Sequence, residues 1–586
     1  MPMTEKKQEV AAHLKPYVVE QHYNQYTPIN QAVWRFVMRQ NMNFLEGRAH
    51  PAFLEGLKSS GIQVESLPRV EEMNASLRPF GWGAVTIDGL IPGVAFFDFQ
   101  AHGLLPIATD IRTLDHIAYT PTPDIIHEAA GHAPILCDEK YAEYVKLFGE
   151  IGAKALASKE EHEAFEATRH LSQLMENPSS TEEEIAEAHF HLTQKQQQID
   201  GVSEAEQISR LYWWTVEYGL IGKVDQPLIY GAGLLSSVGE SKHCLSEKVT
   251  KHPFTLDACI NTGFDVTRPQ PQLFVCHDFD QLIAAVKEFA ERMAFKVGGT
   301  ESLNKALLSH NTATMEYSSG LQVSGTLTDV VLDTQGEAVY MKTSGPTALA
   351  VDGHELAGHG KSTHQDGFGA PIGRVIGLNK PLELADDQEL KQLGVQSGQW
   401  VTLTFHSGVE VEGRVLSIRR EAGKLVLISF TECRVQFEEQ LLFAPEWGDF
   451  DMAVGERITS VFAGAADRER FFANIEREEI VFQPVTDSSQ DREWSSLEKL
   501  YDEVRSIREG RSQEGMKGLQ VIHERLQIEH PQDWLLRVEI LELLVQANVA
   551  PQWVEQVEKE LDELIRVDDE NGWLIQNGVV LAKKGS

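Results

Sequence analysis

Basic charge is what this 586-residue chain most lacks: 52 lysines and arginines stand against 88 aspartates and glutamates, a formal net charge of -36. Nucleic-acid binders draw most of their affinity from cations laid along phosphates, so a chain this acidic is not built for that partner. Cysteine is scarce as well. Cys137, Cys244, Cys259, Cys276 and Cys433 show no CxxC or other metal-ligand spacing, and an odd, scattered set points to reduced thiols in a cytosol. No apolar run approaches the roughly 18 residues that a membrane span needs. The first residues, MPMTEKKQEVAAHL, are polar with no apolar signal core, so a cytoplasmic protein without an anchor is expected.

At this length one core does not suffice, and about three or four domains are expected. Residues 1–312 carry helical periodicity and nearly all the aromatic and histidine clusters, which makes them the catalytic candidate. Within them, 156–200 is polar and helix-prone with a turn at Asn177-Pro178, the pattern of an exposed helical hairpin. From 313 to 486 the pattern becomes alternation, as in Trp400-Val401-Thr402-Leu403-Thr404-Phe405 followed by a Ser407-Gly408 turn, so antiparallel strands are expected. A polar break at Asp487-Ser488-Ser489-Gln490 opens a helical tail, 487–586. There Trp494, Leu497, Leu500, Tyr501, Val504 and Ile507 fall on one face. Helices at 515–528, 532–547 and 552–566 then read as stacked hairpins, an interaction module for self-association or a protein partner.

The most informative residues are His127 and His132 in TPTPDIIHEAAGHAPIL and Glu217 inside the aromatic run LYWWTVEYGL. Two neutral imidazoles and one carboxylate form the donor set that holds non-haem iron(II) on one face and leaves other positions open. A zinc protease needs its histidines four apart on one helical face, whereas these are five apart. On a straight α-helix five steps leave the rings roughly 140° apart, so they converge only where the helix ends or deforms, and Gly131 and Pro134 provide a break. Glu217, amid Tyr212, Trp213, Trp214, Val216 and Tyr218, is expected inside, where a charge needs a metal or a cationic partner. Spacing alone leaves open whether the three meet.

A second string, His354-Glu355-Leu356-Ala357-Gly358-His359 with His364 beyond, repeats the His-Glu-x-x-Gly-His pattern. Its neighbours are Gly-rich and polar and no carboxylate sits in a nearby apolar run, so it is expected to be a mobile surface loop. His162, His170, His189 and His191 are expected to be solvated.

PDIIHEAAGHAPIL, YWWTVEYGL and YGAGLLSSVGESKHCLS, in this order over roughly residues 80 to 290, resemble the pterin-dependent aromatic amino acid hydroxylases. The resemblance implies a mainly α catalytic domain with a small sheet, iron(II) on His127, His132 and Glu217, a tetrahydrobiopterin-type cosubstrate, and ring hydroxylation of a free aromatic amino acid by O2. In the family register Phe96 stacks on the pterin, Ile91 and Gly93 lie on the loop beside it, Glu128 faces it, and Tyr212 lies close to the metal. Arg112 pairs with the substrate carboxylate, steadied by Asp124. Thr120, Pro123, Trp213, Tyr218, Gly233, Ser236 and Val266 line the remainder of the substrate pocket. Without the resemblance, Phe96 and Trp213 read as core aromatics and Arg112 with Asp124 as an ordinary ion pair. The loop 89–94 reads GLIPGV where the family carries a serine-containing loop.

The chain is similar to the longer bacterial members that use phenylalanine, on the strength of Val266 and Trp213. Tyrosine and tryptophan remain alternative substrates, because apolar pockets discriminate weakly against a hydroxyl. Two readings from other classes stand beside this one: a zinc hydrolase using His127, Glu128 and His132, and a non-catalytic partner-binding protein built around the C-terminal regions.

Overall fold

The computed structural model describes residues 10–87, 89–118, 123–176, 180–266, 268–473, 493–548, 551–567 and 572–584. Thr120, the Asn177-Pro178 turn and the polar break at 487–490 lie outside them. Helix α1 (Pro28–Leu45) starts where it does because Thr27 accepts from the Asn30 N–H while the Asn30 side chain accepts from the Thr27 N–H, with Pro28 at the first helical position. Trp34, Val37, Met38 and Leu45 bury its inner face. Parallel strands β1 (Gly83–Ile87) and β2 (Leu104–Ala108) flank the helix Gly93–Ala101. Strands β3 (Leu220–Lys223), β4 (Gln226–Ile229), β5 (Thr250–Pro253) and β6 (Gln272–Cys276) form a second small sheet, in the order β4-β3-β6-β5. Helices fill most of the remainder of this region.

The polar segment forms two helices, Lys159–Glu176 and Glu182–Gln198, tied by Lys195 Nζ to Glu163 Oε2 at 2.7 Å. His162, His170, His189 and His191 on them are all exposed.

From Thr312 onward strands dominate. A six-stranded sheet contains β7 (Thr312–Tyr317), β8 (Leu321–Leu332), β9 (Ala338–Val351), β10 (His354–Glu355), β11 (Gly369–Pro371) and β17 (Ile458–Ala463). A five-stranded sheet contains β12 (Trp400–Thr404), β13 (Val409–Glu421), β14 (Lys424–Phe437), β15 (Gln440–Phe443) and β16 (Phe450–Ala453). The Ser407-Gly408 turn is present: Gly408 has φ +95° and its N–H donates to Phe405 O at 3.0 Å. Each sheet lends residues to the other's core, Val339 and Tyr340 of β9 in one direction and Val426 and Leu427 of β14 in the other.

Among the described residues the tail folds into five helices: Ser496–Arg508, Gly515–Glu529, Leu535–Gln546, Pro551–Val567 and Gly572–Lys584. The last of these was not expected. The tail helices share one hydrophobic core with α1. Leu535–Gln546 is buried from Leu535 to Leu544, its charged residues Arg537, Glu539 and Glu542 included, so those charges need partners. Phe36 meets Trp534 edge-on at 5.1 Å. Arg35 places Nη1 and Nη2 each 2.6 Å from the Glu542 carboxylate and Nη1 3.2 Å from Glu539, a buried fork of charge-assisted bonds. Among the described residues the five cysteines are unpaired, and no helix is long and apolar enough to cross a membrane.

Candidate metal centre

The five-residue spacing of the histidines is accommodated by a change of helix type. Residues Ile126–His132 form a π-helical turn, closed by the Ala133 N–H donating to Glu128 O, five residues back. In such a widened turn positions i and i+5 lie one above the other, as i and i+4 do in an α-helix. A second π-helical turn, Trp213–Glu217, follows the helix Glu204–Tyr212 and closes with the Tyr218 N–H on Trp213 O at 2.9 Å. Gly131 allows the first turn to sit against the helix Ala232–Leu235, since a Cβ there would lie 2.6 Å from Ala232 O. The break expected from Gly131 and Pro134 is therefore a widening of the helix and a close backbone approach.

Between the two turns His127 Nε2 and His132 Nε2 lie 3.2 Å apart, and the Glu217 carboxylate closes the triangle with a different oxygen on each, Oε2 at 3.2 Å from His127 and Oε1 at 3.2 Å from His132. Donors about 2.1 Å from a shared ion and 90–100° apart would lie roughly 3.0–3.2 Å from one another, so spacing and donor chemistry both fit one divalent metal held on one face. The tautomer fits as well. Ser236 Oγ gives its proton to Ala232 O at 2.8 Å and so accepts from His127 Nδ1 at 3.2 Å, which leaves the Nε2 lone pair facing the centre.

The three groups are electrostatically coupled. Burial alone would depress His127, yet the Glu217 carboxylate pushes it up to about 9. Burial would raise Glu217, but His132 and His127 hold it well below the usual carboxylate range. Glu128 is buried, and its Oε2 lies 3.8 Å from His132 Nε2 with no hydrogen-bond partner among the described residues. Burial pushes its carboxyl up.

Arg112 is buried and pairs with Asp124 through Nε and Nη2, each at 2.8 Å, while the Arg112 backbone N–H adds a third bond at 2.9 Å. Asp124 also accepts the His127 N–H at 3.0 Å, so the arginine and the first metal-facing turn are fixed by one carboxylate. Trp213 stacks on Tyr218 at 4.6 Å and on Phe264 at 4.4 Å. A Cβ at Gly233 would lie 3.1 Å from both Glu217 O and the Tyr218 ring, a tight fit that a small shift of the ring would have to relieve. Phe96 packs edge-on against Tyr212 at 5.7 Å, with Ile91 buried and Gly93 exposed at the head of that helix.

Tyr212 turns its hydroxyl to accept from Gln100 Nε2 at 2.7 Å, and its ring contacts Phe97 and Phe148. Pro123 is exposed. Val266 is 39 % exposed, and the residue of its loop that reaches the aromatic stack is Phe264. Phe264 was not singled out in the sequence, where it stands alone in the turn-rich NTGFDVT. Ser236, expected in the substrate pocket, spends its hydroxyl on His127.

The sequence profile of the biopterin-dependent aromatic amino acid hydroxylase family matches residues 4–171 and 193–300. The gap falls on the polar hairpin. The phenylalanine-4-hydroxylase of Mesorhizobium japonicum is 29 % identical over 269 residues, 45 % of this chain and 81 % of the relative. That of Pseudomonas aeruginosa is 29 % identical over 264 residues, 45 % of this chain and 84 % of the relative. A crystal structure of Chromobacterium violaceum phenylalanine hydroxylase with bound iron(III) and 7,8-dihydrobiopterin is 26 % identical, covering 48 % of this chain and 87 % of the other, with a TM-score of 0.38. Through the region that carries the His127, His132 and Glu217 triangle, the chain belongs to the biopterin-dependent aromatic amino acid hydroxylases.

Proposed function

We propose that residues 1–312 hydroxylate the ring of free L-phenylalanine to give L-tyrosine, using O2, a tetrahydrobiopterin-type cosubstrate and iron(II). The observation that carries this reading is the 3.2 Å triangle of two imidazole nitrogens and one carboxylate inside the family-matched region. When bound, iron(II) and the tetrahydropterin supply the activation of dioxygen that aromatic hydroxylation requires.

The residues of this chain do the holding. His127, His132 and Glu217 hold the metal, with Ser236 keeping His127 in the tautomer that offers Nε2. Phe96 offers an aromatic face for the pterin beside Ile91 and Gly93, Glu128 points a buried carboxyl toward the same space, and Tyr212 braces Phe96 from behind. Arg112, clamped by Asp124, presents its remaining terminal nitrogen to the amino acid's carboxylate. Planar pairing of this kind suits guanidinium. Trp213, covered on both faces by Tyr218 and Phe264, contributes the edge of that stack as the wall beside which the substrate ring is positioned, and Gly233 leaves room beside it. Val266, on the same loop as Phe264, is assigned to the remainder of the substrate pocket.

Product analysis with phenylalanine, tyrosine and tryptophan, each supplied with iron(II), tetrahydropterin and air, tests the reading. Tyrosine from phenylalanine is expected as the main product. Glu217→Ala and His132→Ala should each lose iron and reduce turnover by more than about 100-fold, beyond what losing a ligand's supporting partner causes. An active iron-free variant would sink the assignment.

A further inference from the structure

The repeated string in the β-rich region, expected to be a mobile loop, is pinned and has a carboxylate aimed at it. His359 N–H donates to Leu356 O at 2.9 Å, and the Leu349 N–H of β9 donates to His359 O at 2.9 Å. The Thr347 N–H of β9 donates to His364 O at 3.0 Å. The two imidazoles stack at 5.7 Å with 16° between their planes. Opposite them stands Asp451 of β16, a strand of the other sheet. Its Oδ2 lies 3.4 Å from His359 Nδ1 and 3.7 Å from His364 Nε2, and the two nitrogens are 3.4 Å apart. Asp451 Oδ1 accepts from Ser429 Oγ at 2.5 Å, so the carboxylate is oriented with its second oxygen toward the histidines. His354, the other histidine of the string, is exposed and takes no part.

Three donor atoms therefore converge from two elements distant in sequence. A tetrahedral centre with donors about 2.0–2.1 Å out has edges of roughly 3.3–3.4 Å, close to the spacings seen here and wider than the 3.2 Å edges of the first triangle. Two imidazoles and one oxygen suit a borderline divalent ion such as zinc(II). The hydrogen bond from Ser429 is the kind of outer support that fixes a ligating carboxylate. The side chains of His359, His364 and Asp451 are 16 %, 9 % and 16 % exposed, so an ion has a path from solvent and a fourth position open to water.

We propose that His359, His364 and Asp451 form a second metal site, for a zinc-type divalent ion, that clamps the two sheets of the β-rich region together. The site is separate from the triangle at His127 and chemically distinct from it: a three-ligand tetrahedral clamp beside a facial iron set.

The test uses the full chain with zinc(II) alone as the probe. The first triangle is silenced by His127→Ala with His132→Ala, and metal content is read by equilibrium dialysis and mass spectrometry. One zinc per chain is expected in that background. Adding Asp451→Asn or His364→Gln should weaken uptake by at least about 100-fold, as loss of one of only three protein ligands should exceed the effect of losing outer support. Zinc should also slow amide exchange at residues 356–366 and 449–453 together in the first background and not in the second. Circular dichroism identifies any variant that fails to fold. Asp451→Asn, nearly isosteric and still able to accept from Ser429, is the arm that decides. The proposal is overturned by no specific zinc in the silenced background, or by zinc uptake that Asp451→Asn and His364→Gln leave unchanged; either result makes the cluster a purely hydrogen-bonded one.

Discussion

Replacing Ser236 by alanine separates two roles for a residue that the sequence placed beside the substrate and the structure places behind the metal. The hydroxyl accepts from His127 Nδ1 at 3.2 Å and donates to Ala232 O at 2.8 Å, and Ser236 is 2 % exposed. At that burial bulk solvent does not reach the hydroxyl's position. Removing Oγ either orphans a buried N–H, at about 1–3 kcal/mol, or lets His127 adopt the tautomer whose Nε2 carries a proton and cannot bind a metal. At about 1.4 kcal/mol per decade, that is a loss of roughly 5- to 150-fold in iron affinity, in line with the about 10- to 100-fold typical of supporting partners. The assay is a competition titration of iron(II) against a chelator, followed by turnover kinetics at saturating iron. The expected result is weaker iron binding, with the KM for phenylalanine nearly unchanged once iron is saturating. Unchanged iron affinity with a raised KM would refute the reasoning and return Ser236 to the substrate pocket.

Three further perturbations follow from other parts of the molecule. Burial raises the Glu240 carboxyl to about 7, so the folded state holds its proton more tightly than the unfolded chain does. Its penalty is absent below about pH 4.5, grows as pH rises to about 7 and is then constant, at most about 3 kcal/mol at 1.36 kcal/mol per unit. Glu240→Gln should therefore stabilise the chain at pH 8 and not at pH 4.5 in urea unfolding, and equal effects at both would contradict this. Arg35→Ala removes the bidentate partner of Glu542 and one of the two arginines at Glu539, leaving them Arg39 and Arg508. It should cost about 1.5–3 kcal/mol, the worth of a hydrogen bond to a charged group, read as faster amide exchange in Leu535–Gln546, and unchanged protection there would refute the role of the fork. Gly131→Ala would press a methyl to 2.6 Å from Ala232 O, which is backbone and cannot swing away. A loss of about 1–3 kcal/mol is expected together with reduced iron content, and normal iron with normal stability would mean the contact relaxes freely.

The parts legible in the sequence were those set by local pattern. The donor types, the failure of a straight helix to bring residues 127 and 132 together, the polar hairpin and the alternating strands all depend on near neighbours. What escaped depended on contacts across the chain. Asp451 lies 87 residues beyond His364, in a strand whose own alternation gave no hint of a histidine partner. Phe264 joins the Trp213 stack from a turn with no periodicity. The tail's amphipathic faces were readable, but their cover is α1, more than 450 residues earlier, and only the fold reveals that Arg35 and Glu542 meet. Ser236 was expected in the substrate pocket, while the direction of its hydroxyl, toward His127, is a matter of one rotamer.

A π-helical turn is an α-helix with one residue too many. Ile126–His132 can therefore be seen as a helix whose ladder was stretched by a single insertion. Deleting one of the two alanines at 129 and 130 would restore His-Glu-x-x-His, the pattern that sets two imidazoles for zinc beside a glutamate base. The ring positions would then follow a narrower turn, and Glu217 would no longer close the triangle. One residue of backbone thus separates two unrelated chemistries here, and the shortened variant asks which metal this scaffold would accept when its histidines are re-spaced.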